Sequence, residues 1–375
     1  MAPLVLALRD SADFDCVVTV TGQHREMLDQ VNRVFGIEPD LDLDIFEHGM
    51  GLSKVTEKTL SRLTPLLEER RPDAIVVQGD TTSALAAGLA AFNLGIPVVH
   101  LEAGLRTASI ASPFPEEGNR RLLSQITSLH LAPTALAREN LLASGIAAAD
   151  IVVTGNTVID ALQTAIERDL EFLDPVLKNH GDFAGDVVLV TSHRRESWGA
   201  PMERTASALV KLATERPEVT FVFPLHANPK VRAIFEPALR PFSNVLLTES
   251  LAYPDLALML KIARIIVTDS GGIQEEAPAL GKPVLVLRED TERPEAIDAG
   301  VAVLVGTNPD LIVDGVNRLL DDPAAYESMA RAQNPFGDGR AAERSVAALQ
   351  QFFGVGDRIA DFQYNAVSAL EREAS

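Results

Sequence analysis

The fold of this 375-residue chain is decided by Ile265-Ile-Val-Thr-Asp-Ser-Gly-Gly-Ile-Gln-Glu-Glu-Ala-Pro278, which is followed by Leu280-Gly-Lys-Pro-Val-Leu-Val-Leu287. The two apolar, β-branched runs do not alternate with polar residues, which is typical of strands in a parallel sheet with both faces covered. Pro278 and Gly281 predict an early end to the helix between the runs. The stretch therefore indicates a strand, a tight turn, a short helix and a second strand.

The turn itself contains Gly271 and Gly272. Each glycine at a helix start costs about 1 kcal/mol relative to alanine, and Asp269 or Ser270 would be enough to cap the helix. Without side chains, the backbone N–H groups are open to a phosphate at the positive end of the helix dipole. A plain capped helix is the alternative, and these residues favour the phosphate site over it.

Composition narrows the class of protein. Lys and Arg number 33 and Asp and Glu number 53, so the formal charge of -20 argues against nucleic acid or an anionic membrane as a partner. The single cysteine, Cys16, excludes an internal disulfide and predicts a cytoplasmic protein. No apolar run reaches about 18 residues. The apolar start, residues 1–8, lacks the basic residues of a signal peptide.

Short apolar runs alternate with amphipathic helical segments along the chain, which predicts an α/β fold with two doubly wound Rossmann-like domains. We place the N-terminal domain at residues 1–158, joined by a C-terminal helix at 353–375, and the second domain at 159–352. The polar stretch 179–185 is the best candidate linker. One feature is unusual, because the first domain opens with a predicted helix rather than with a central strand.

In open α/β sheets, ligands lie beyond the carboxyl ends of the strands. Ionisable side chains follow five predicted strands, within residues 79–82, 102–106, 192–196, 224–229 and 288–295. Asp80, Glu102 and Glu116 form a carboxylate set in the first domain, and His193 belongs to the second. Clustered carboxylates acquire different pKa values, so that one acts as acid and another as base.

Each of these residues has a simpler explanation. Asp80 is suited to capping the following helix, and His193 and His226 to ordinary hydrogen bonds in loops. Glu116 with Arg120, and Glu117 with Arg121, have the i, i+4 spacing of ion pairs on the surface of a helix. We assign this surface role to Glu117 and Arg121.

Several kinds of site find no support in the sequence. No His, Cys and Asp spacing indicates a metal site. A Walker loop, a Gly-x-Ser-x-Gly elbow and a Gly-x-Gly-x-x-Gly fingerprint are all missing from the sequence, so no cofactor is expected.

Seven motifs, in order through nearly the whole chain, resemble those of the non-hydrolysing UDP-N-acetylglucosamine 2-epimerases. They lie at Gln78–Thr82, His100–Arg106, Pro115–Arg120, Thr154–Asp160, Ser192–Glu196, Thr268–Pro278 and Thr291–Glu295. The resemblance implies a glycosyltransferase-B-type fold with the active site in the interdomain cleft. It also implies interconversion of UDP-GlcNAc and UDP-ManNAc without a cofactor, by elimination of UDP to a 2-acetamidoglucal and re-addition, for polysaccharide biosynthesis.

The resemblance also implies roles for individual residues. The acid–base carboxylates would be Asp80, Glu102 and Glu116, supported by Arg120 and His193. The UDP site would comprise Ser270, Gly271 and Gly272 for the diphosphate, Glu276 for the ribose, Arg293, and a loop around Leu251 and Leu256 for uracil. An activating second UDP-GlcNAc pocket would comprise Gln23, His24, Arg194 and His226. The family further suggests a homodimer.

The chain departs from the family at its start. Members open with a strand, a Gly-Thr-Arg-Pro-Glu loop and a helix with a lysine just before Met-Ala-Pro, whereas here Met-Ala-Pro is residues 1–3. Loss of a central strand would leave buried backbone groups unpaired. A start site assigned too late and a real truncation both explain this, and we favour the first. We expect the chain as written to be weakly active or inactive.

Two alternatives to this function remain open at the level of sequence. One is the hydrolysing 2-epimerase, which releases ManNAc and UDP and shares most of the motifs. The other is a non-catalytic UDP-sugar-binding protein, which only the unusual start supports. A glycosyltransferase is less favoured, because three acids suit proton transfer at a sugar carbon better than activation of an acceptor.

Overall fold

The computed structural model describes residues 1–23, 25–47, 49–168, 170–193 and 198–364. The described chain forms two compact units: unit 1 is Met1–Ala161 with Phe336–Tyr364, and unit 2 is Leu162–Pro335. Both contain parallel sheets with helices, as the sequence predicted. Within these residues, no helix combines the length and apolar composition needed to cross a bilayer.

The first segment of the chain builds unit 1. Its elements are α1 (Ala2–Asp10), β1 (Thr19–Val20), α2 (Arg25–Phe35), β2 (Leu41–Asp42), α3 (Leu52–Arg70), β3 (Ile75–Gln78), α4 (Thr82–Asn93), β4 (Val98–Leu101), α5 (Glu116–Ile126), β5 (Leu129–Ala132), α6 (Ala135–Ala143), β6 (Ile151–Val153) and α7 (Thr157–Glu167). The helix α7 crosses the boundary into unit 2.

The second segment builds unit 2 and returns to unit 1. Its elements are α8 (Pro175–His180), β7 (Val187–Thr191), α9 (Ala200–Glu215), β8 (Thr220–Pro224), α10 (Pro229–Leu239), β9 (Val245–Thr248), α11 (Tyr253–Ile262), β10 (Ile265–Thr268), α12 (Gly271–Glu276), β11 (Val284–Val286), α13 (Pro294–Asp298), β12 (Ala302–Leu304), α14 (Pro309–Asp321), α15 (Pro323–Ala330) and, in unit 1, α16 (Ala341–Phe353).

Unit 1 contains a four-stranded parallel sheet in the order β3-β4-β5-β6 and a separate parallel pair, β1 with β2. Successive residues of β4 belong to different hydrophobic cores, one on each face of the sheet. Val98 packs with α3 and α4, whereas Val99 packs with α1 and α16. Helices therefore cover both faces of the four-stranded sheet, as the unbroken apolar strands predict.

The chain returns to unit 1 earlier than the sequence suggested. All of helix α16 except Phe353 lies within the span 159–352 that we assigned to the second domain, but the helix packs on α1 through Ala348 and Leu349. The carboxylate of Asp160 accepts hydrogen bonds from the N–H groups of Ala341 (3.2 Å) and Ala342 (2.8 Å). This contact satisfies two free donors at the start of α16 and ties the helix to α7.

Unit 2 is a six-stranded parallel sheet in the order β12-β11-β10-β7-β8-β9. Numbered within the unit, this is the 3-2-1-4-5-6 order of doubly wound folds, in which ligands bind where the order reverses. The reversal lies between β7 and β10, where Thr191 pairs with Thr268. The end of β10 and the glycine turn that follows it, Thr268–Gly272, therefore lie at the switch point of the sheet.

Some local predictions were wrong. The apolar run Cys16–Thr21 predicts a strand, but only Thr19–Val20 forms one. The pattern from Thr157 onward predicts a helix to about Phe172, but α7 ends at Glu167. The additional helix α8 begins at Pro175, because Asp174 caps it and Pro175 suits a first helical position.

Candidate active site

Asp80 follows β3 and is held by helix α5. Thr81 is the residue that caps α4, since its hydroxyl accepts from the N–H of Ala84, so capping does not explain Asp80. Arg120 donates to Asp80 Oδ2 from Nε (2.9 Å), and its Nη2 lies 2.7 Å from the same oxygen. Asn119 Nδ2 donates to the carbonyl oxygen of Asp80 at 2.8 Å. The arginine and the amide fix both the carboxylate and its backbone.

Glu102 directly follows β4, whose last residue, Leu101, pairs with Gln78 in the parallel register. Its φ of +64° is rare for a residue with a side chain, and such strain clusters at functional sites. Gln78 Nε2 donates to Glu102 Oε2 at 3.2 Å. His100 Nε2 donates to the carbonyl oxygen of Gly79 at 2.8 Å, and burial lowers the pKa of His100 to about 3. A neutral imidazole therefore helps to fix the edge from which both acids project.

Glu116 and Glu117 are neighbours in the first turn of α5 with opposite environments. Glu117 is fully buried, where it accepts from Thr107 N (3.0 Å) and Arg121 Nε (2.7 Å), and its Oε2 lies 3.4 Å from Arg120 Nη1. Our assignment of Glu117 and Arg121 to a surface pair was therefore wrong. In contrast, the buried oxygen Oε2 of Glu116 has no hydrogen-bond partner in the described chain. Arg120 pairs with Asp80 and Glu117 instead of Glu116.

Unit 2 presents His193 at the end of β7 and Asp269 at the end of β10. Asp269 is fully buried, and His193 Nδ1 lies 2.9 Å from its Oδ1. Asp269 Oδ2 accepts from the backbone N–H of His193 (2.8 Å) and from Ser192 Oγ (3.3 Å). These contacts join the two strands at the switch point of the sheet.

The turn between β10 and α12 has the predicted cap. Ser270 is the N-cap residue, and its hydroxyl accepts from Ile273 N at 3.5 Å. Helix α12 ends at Glu276 and continues as a 3-10 turn over Ala277–Leu280, which is consistent with the early end predicted from Pro278 and Gly281. Gly271 and Gly272 are therefore the first helical residues, where free N–H groups lie.

Two adjacent glutamates end α12. Arg293 Nε donates to Glu275 Oε1, and both side chains are buried. Glu276 is also buried, and its Oε2 would lie 3.8 Å from a Cβ atom at Gly272. Burial, with the charge of Glu275 as a smaller cause, raises the pKa of Glu276 to about 8. The guanidinium of Arg293 thus stabilises Glu275, while Glu276 is directed towards the glycine turn.

The structure describes only some of the remaining predicted site residues. Leu251 lies in the loop before α11, but Leu256 is helical and donates its N–H to Ala252 O (3.0 Å), so the predicted loop is shorter than expected. Gln23 accepts from Ser83 Oγ at 2.6 Å. His226 Nδ1 accepts from Asn228 N at 3.1 Å. His24 and Arg194 lie outside the described residues, so the second pocket stays a prediction.

Sequence reasoning missed three residues of these arrangements. Asp269 was considered only as a helix cap, Asn119 was not singled out, and Glu117 was assigned to the surface. The position of Asp269 directly after a buried strand, opposite His193, was the available signal.

Comparison with known proteins finds similarity along nearly the whole chain. The model of a family described as UDP-N-acetylglucosamine 2-epimerase matches residues 6–350. UDP-N-acetylglucosamine 2-epimerases of Yersinia pestis and Escherichia coli (strain K12) are 50% and 46% identical over 93% of this chain and 94% of each relative. The crystal structure of the UDP-GlcNAc 2-epimerase from Neisseria meningitidis bound to UDP-GlcNAc is similar, with a TM-score of 0.85, 43% identity, and coverage of 94% of this chain and 96% of that one.

The two neighbouring glutamates of α5 give a test of the unit 1 network. We expect Glu117→Ala to lower the free energy of unfolding by about 3–5 kcal/mol, because it leaves buried donors without their carboxylate. The adjacent variant Glu116→Ala is the control, and it should not lower the free energy of unfolding, because Glu116 Oε2 has no hydrogen-bond partner in the described chain to lose. Urea unfolding measures both, and equal effects would contradict the burial of Glu117.

Glu276 makes the stability of unit 2 depend on pH. Its pKa is about 8 in the folded state and about 4.5 when unfolded. Between these values the folded state keeps a proton that the unfolded state has lost, so stability is highest below pH 4.5 and falls as the pH rises towards 8. The loss should be on the order of a few kcal/mol.

Unfolding free energies at pH 5, 6, 7 and 8 measure this dependence. Glu276→Gln should flatten the decline, whereas Glu171→Gln, at a side chain that is 82% exposed, should leave it unchanged. A Glu276→Gln variant with the slope of the wild type would show that Glu276 is not the group responsible.

Proposed function

Because the chain belongs to the UDP-N-acetylglucosamine 2-epimerase family, we propose that it interconverts UDP-GlcNAc and UDP-ManNAc without hydrolysis. The observation that carries the proposal is the array of acids at the carboxyl ends of β3 and β4 and at the start of α5. Asp80 is paired with Arg120, Glu102 has a strained backbone, and Glu116 has a buried oxygen without a partner.

The reaction begins with removal of the proton at C2 of the GlcNAc ring. The electron pair forms the C1=C2 bond, the C1–O bond breaks, and UDP leaves with that bonding pair. A proton is then delivered to C2 of the 2-acetamidoglucal on the opposite face, and a phosphate oxygen of UDP adds again to C1. Opposite faces require separate acid–base groups, and Asp80, Glu102 and Glu116 provide three candidates.

The departing diphosphate is assigned to Ser270, Gly271 and Gly272, with His193 beside them and Glu276 for the ribose. The switch point of the unit 2 sheet and the free N–H groups at the start of α12 support this assignment. Packing does not require glycine at Gly272, since a Cβ there would make only ordinary contacts at 3.8 Å or more. Close approach of a ligand would explain why this position lacks a side chain.

The resemblance alone supports three further parts of the proposal. They are a homodimer, a cytoplasmic location, and an activating UDP-GlcNAc pocket at Gln23, His24, Arg194 and His226.

The products formed from UDP-GlcNAc in deuterated water distinguish the candidate functions. We expect UDP-ManNAc carrying deuterium at C2, because the proton removed from C2 exchanges with solvent before it is replaced. Nuclear magnetic resonance and mass spectrometry of the sugar measure this. Free ManNAc with UDP would indicate the hydrolysing reaction, and binding without exchange at C2 would indicate a UDP-sugar-binding protein.

Gly272→Ala tests the position of the diphosphate in the same samples. It should weaken UDP binding at least about tenfold, because a methyl group would block close approach to the backbone N–H groups. Gly51→Ala is the matched control, since nothing lies within 4 Å of a Cβ at that position. Unchanged UDP affinity in Gly272→Ala, measured by calorimetry, would place the diphosphate elsewhere.

A further inference from the structure

Asp269 contacts His193 through both of its carboxylate oxygens. One oxygen accepts from the backbone N–H at 2.8 Å, and the other lies 2.9 Å from Nδ1 of the imidazole. Asp269 is completely buried, whereas the side chain of His193 is 47% exposed. One fixed group therefore holds both the main chain and the ring of a residue that a ligand can reach.

The chemistry of the two groups determines how the imidazole is presented. A carboxylate oxygen 2.9 Å from Nδ1 acts as an acceptor in that contact, which favours the tautomer with the proton on Nδ1. The second nitrogen, Nε2, is then the one available to a ligand, and its orientation follows from the ring. In other enzymes, the carboxylate of a carboxylate–histidine pair fixes the tautomer and the orientation of the imidazole in the same way.

We propose that Asp269 is the positioning residue of His193, which it fixes in the Nδ1–H form so that Nε2 faces the substrate. The proposal rests on the epimerase function for its catalytic consequence. The alternative is that Asp269 only joins the ends of β7 and β10. Neighbouring bonds already do this, because Thr191 Oγ1 and Thr268 Oγ1 lie 2.6 Å apart and Asp269 N donates to Thr191 O at 3.3 Å.

Asp269→Asn separates the two roles. The amide oxygen can still accept from His193 N–H and Ser192 Oγ, so the strand ends stay joined. The amide nitrogen would donate towards Nδ1, which forces the proton of the ring onto Nε2. We expect kcat to fall about 100-fold, with less than a threefold change in KM for UDP-GlcNAc and an unchanged melting temperature.

Nitrogen-15 spectra of histidine-labelled protein at about pH 8.5, where a free imidazole is neutral, measure the ring directly. His193→Gln identifies the resonances by their loss. The wild type should show the Nδ1–H form and Asp269→Asn the Nε2–H form. Thr191→Val, which removes the hydroxyl contact between the same strands, is the control, and it should keep both the Nδ1–H form and the kcat of the wild type.

The spectra distinguish failure of this proposal from failure of the proposed function. An unchanged Nδ1–H signal in Asp269→Asn, or a changed signal with kcat within threefold of the wild type, would overturn the positioning role. If the protein shows no epimerase turnover, titration with UDP replaces the assay. A change in the Nε2 chemical shift of His193 on addition of UDP that is seen in the wild type and lost in Asp269→Asn would support the positioning role. The same change in both proteins would overturn it.

Discussion

The pairing of β7 with β10 is the constraint on which the candidate site of unit 2 depends. The parallel register sets Thr191 opposite Thr268, so the residues that follow leave the sheet side by side. These two strands also flank the reversal of strand order, which is where doubly wound sheets bind their ligands. Asp269 can therefore reach the backbone and the ring of His193 while Ser270 begins α12. A one-residue slip of this register would separate the carboxylate from the imidazole.

Unit 1 uses a similar arrangement of strand ends but stabilises its carboxylates differently. Two arginines and a backbone N–H surround Glu117, which makes it a fixed buried anion. Arg120 then contacts Asp80 as well, so one guanidinium bridges a buried and a partly exposed carboxylate. Because successive helical residues point about 100° apart, Glu116 lies outside this network although it is the next residue in the chain. That separation leaves Glu116 Oε2 without a hydrogen-bond partner in the described chain, while Glu117 holds the arginine.

The fold was largely predictable from the sequence, and the contacts of the site were not. The apolar run Ile265–Thr268 and the amphipathic segment Leu52–Arg70 form the strand and the helix that their own patterns predict, because both patterns are local signals. The family motifs likewise indicated Asp80 and His193. The burial of Glu117 was not predictable, since an i, i+4 pair with Arg121 has the same spacing on an exposed helix as on a buried one. The partners Thr107 and Arg120 that decide its role depend on how the loop after β4 folds over α5.

The two adjacent acids at the end of α12 have different surroundings, and this difference suits the proposed substrate. Glu275 is neutralised by Arg293, so its charge is balanced within the protein. Desolvation of Glu276 is the larger cause of its raised pKa, and the charge of Glu275 adds to it. A neutral diol that donates two hydrogen bonds would stabilise the ionised form of such a carboxylate without bringing a second charge. Ribose hydroxyls have this chemistry, since each of them can donate a hydrogen bond. The burial and raised pKa of Glu276, four residues after Gly272, therefore support its proposed assignment to the ribose of a nucleotide sugar.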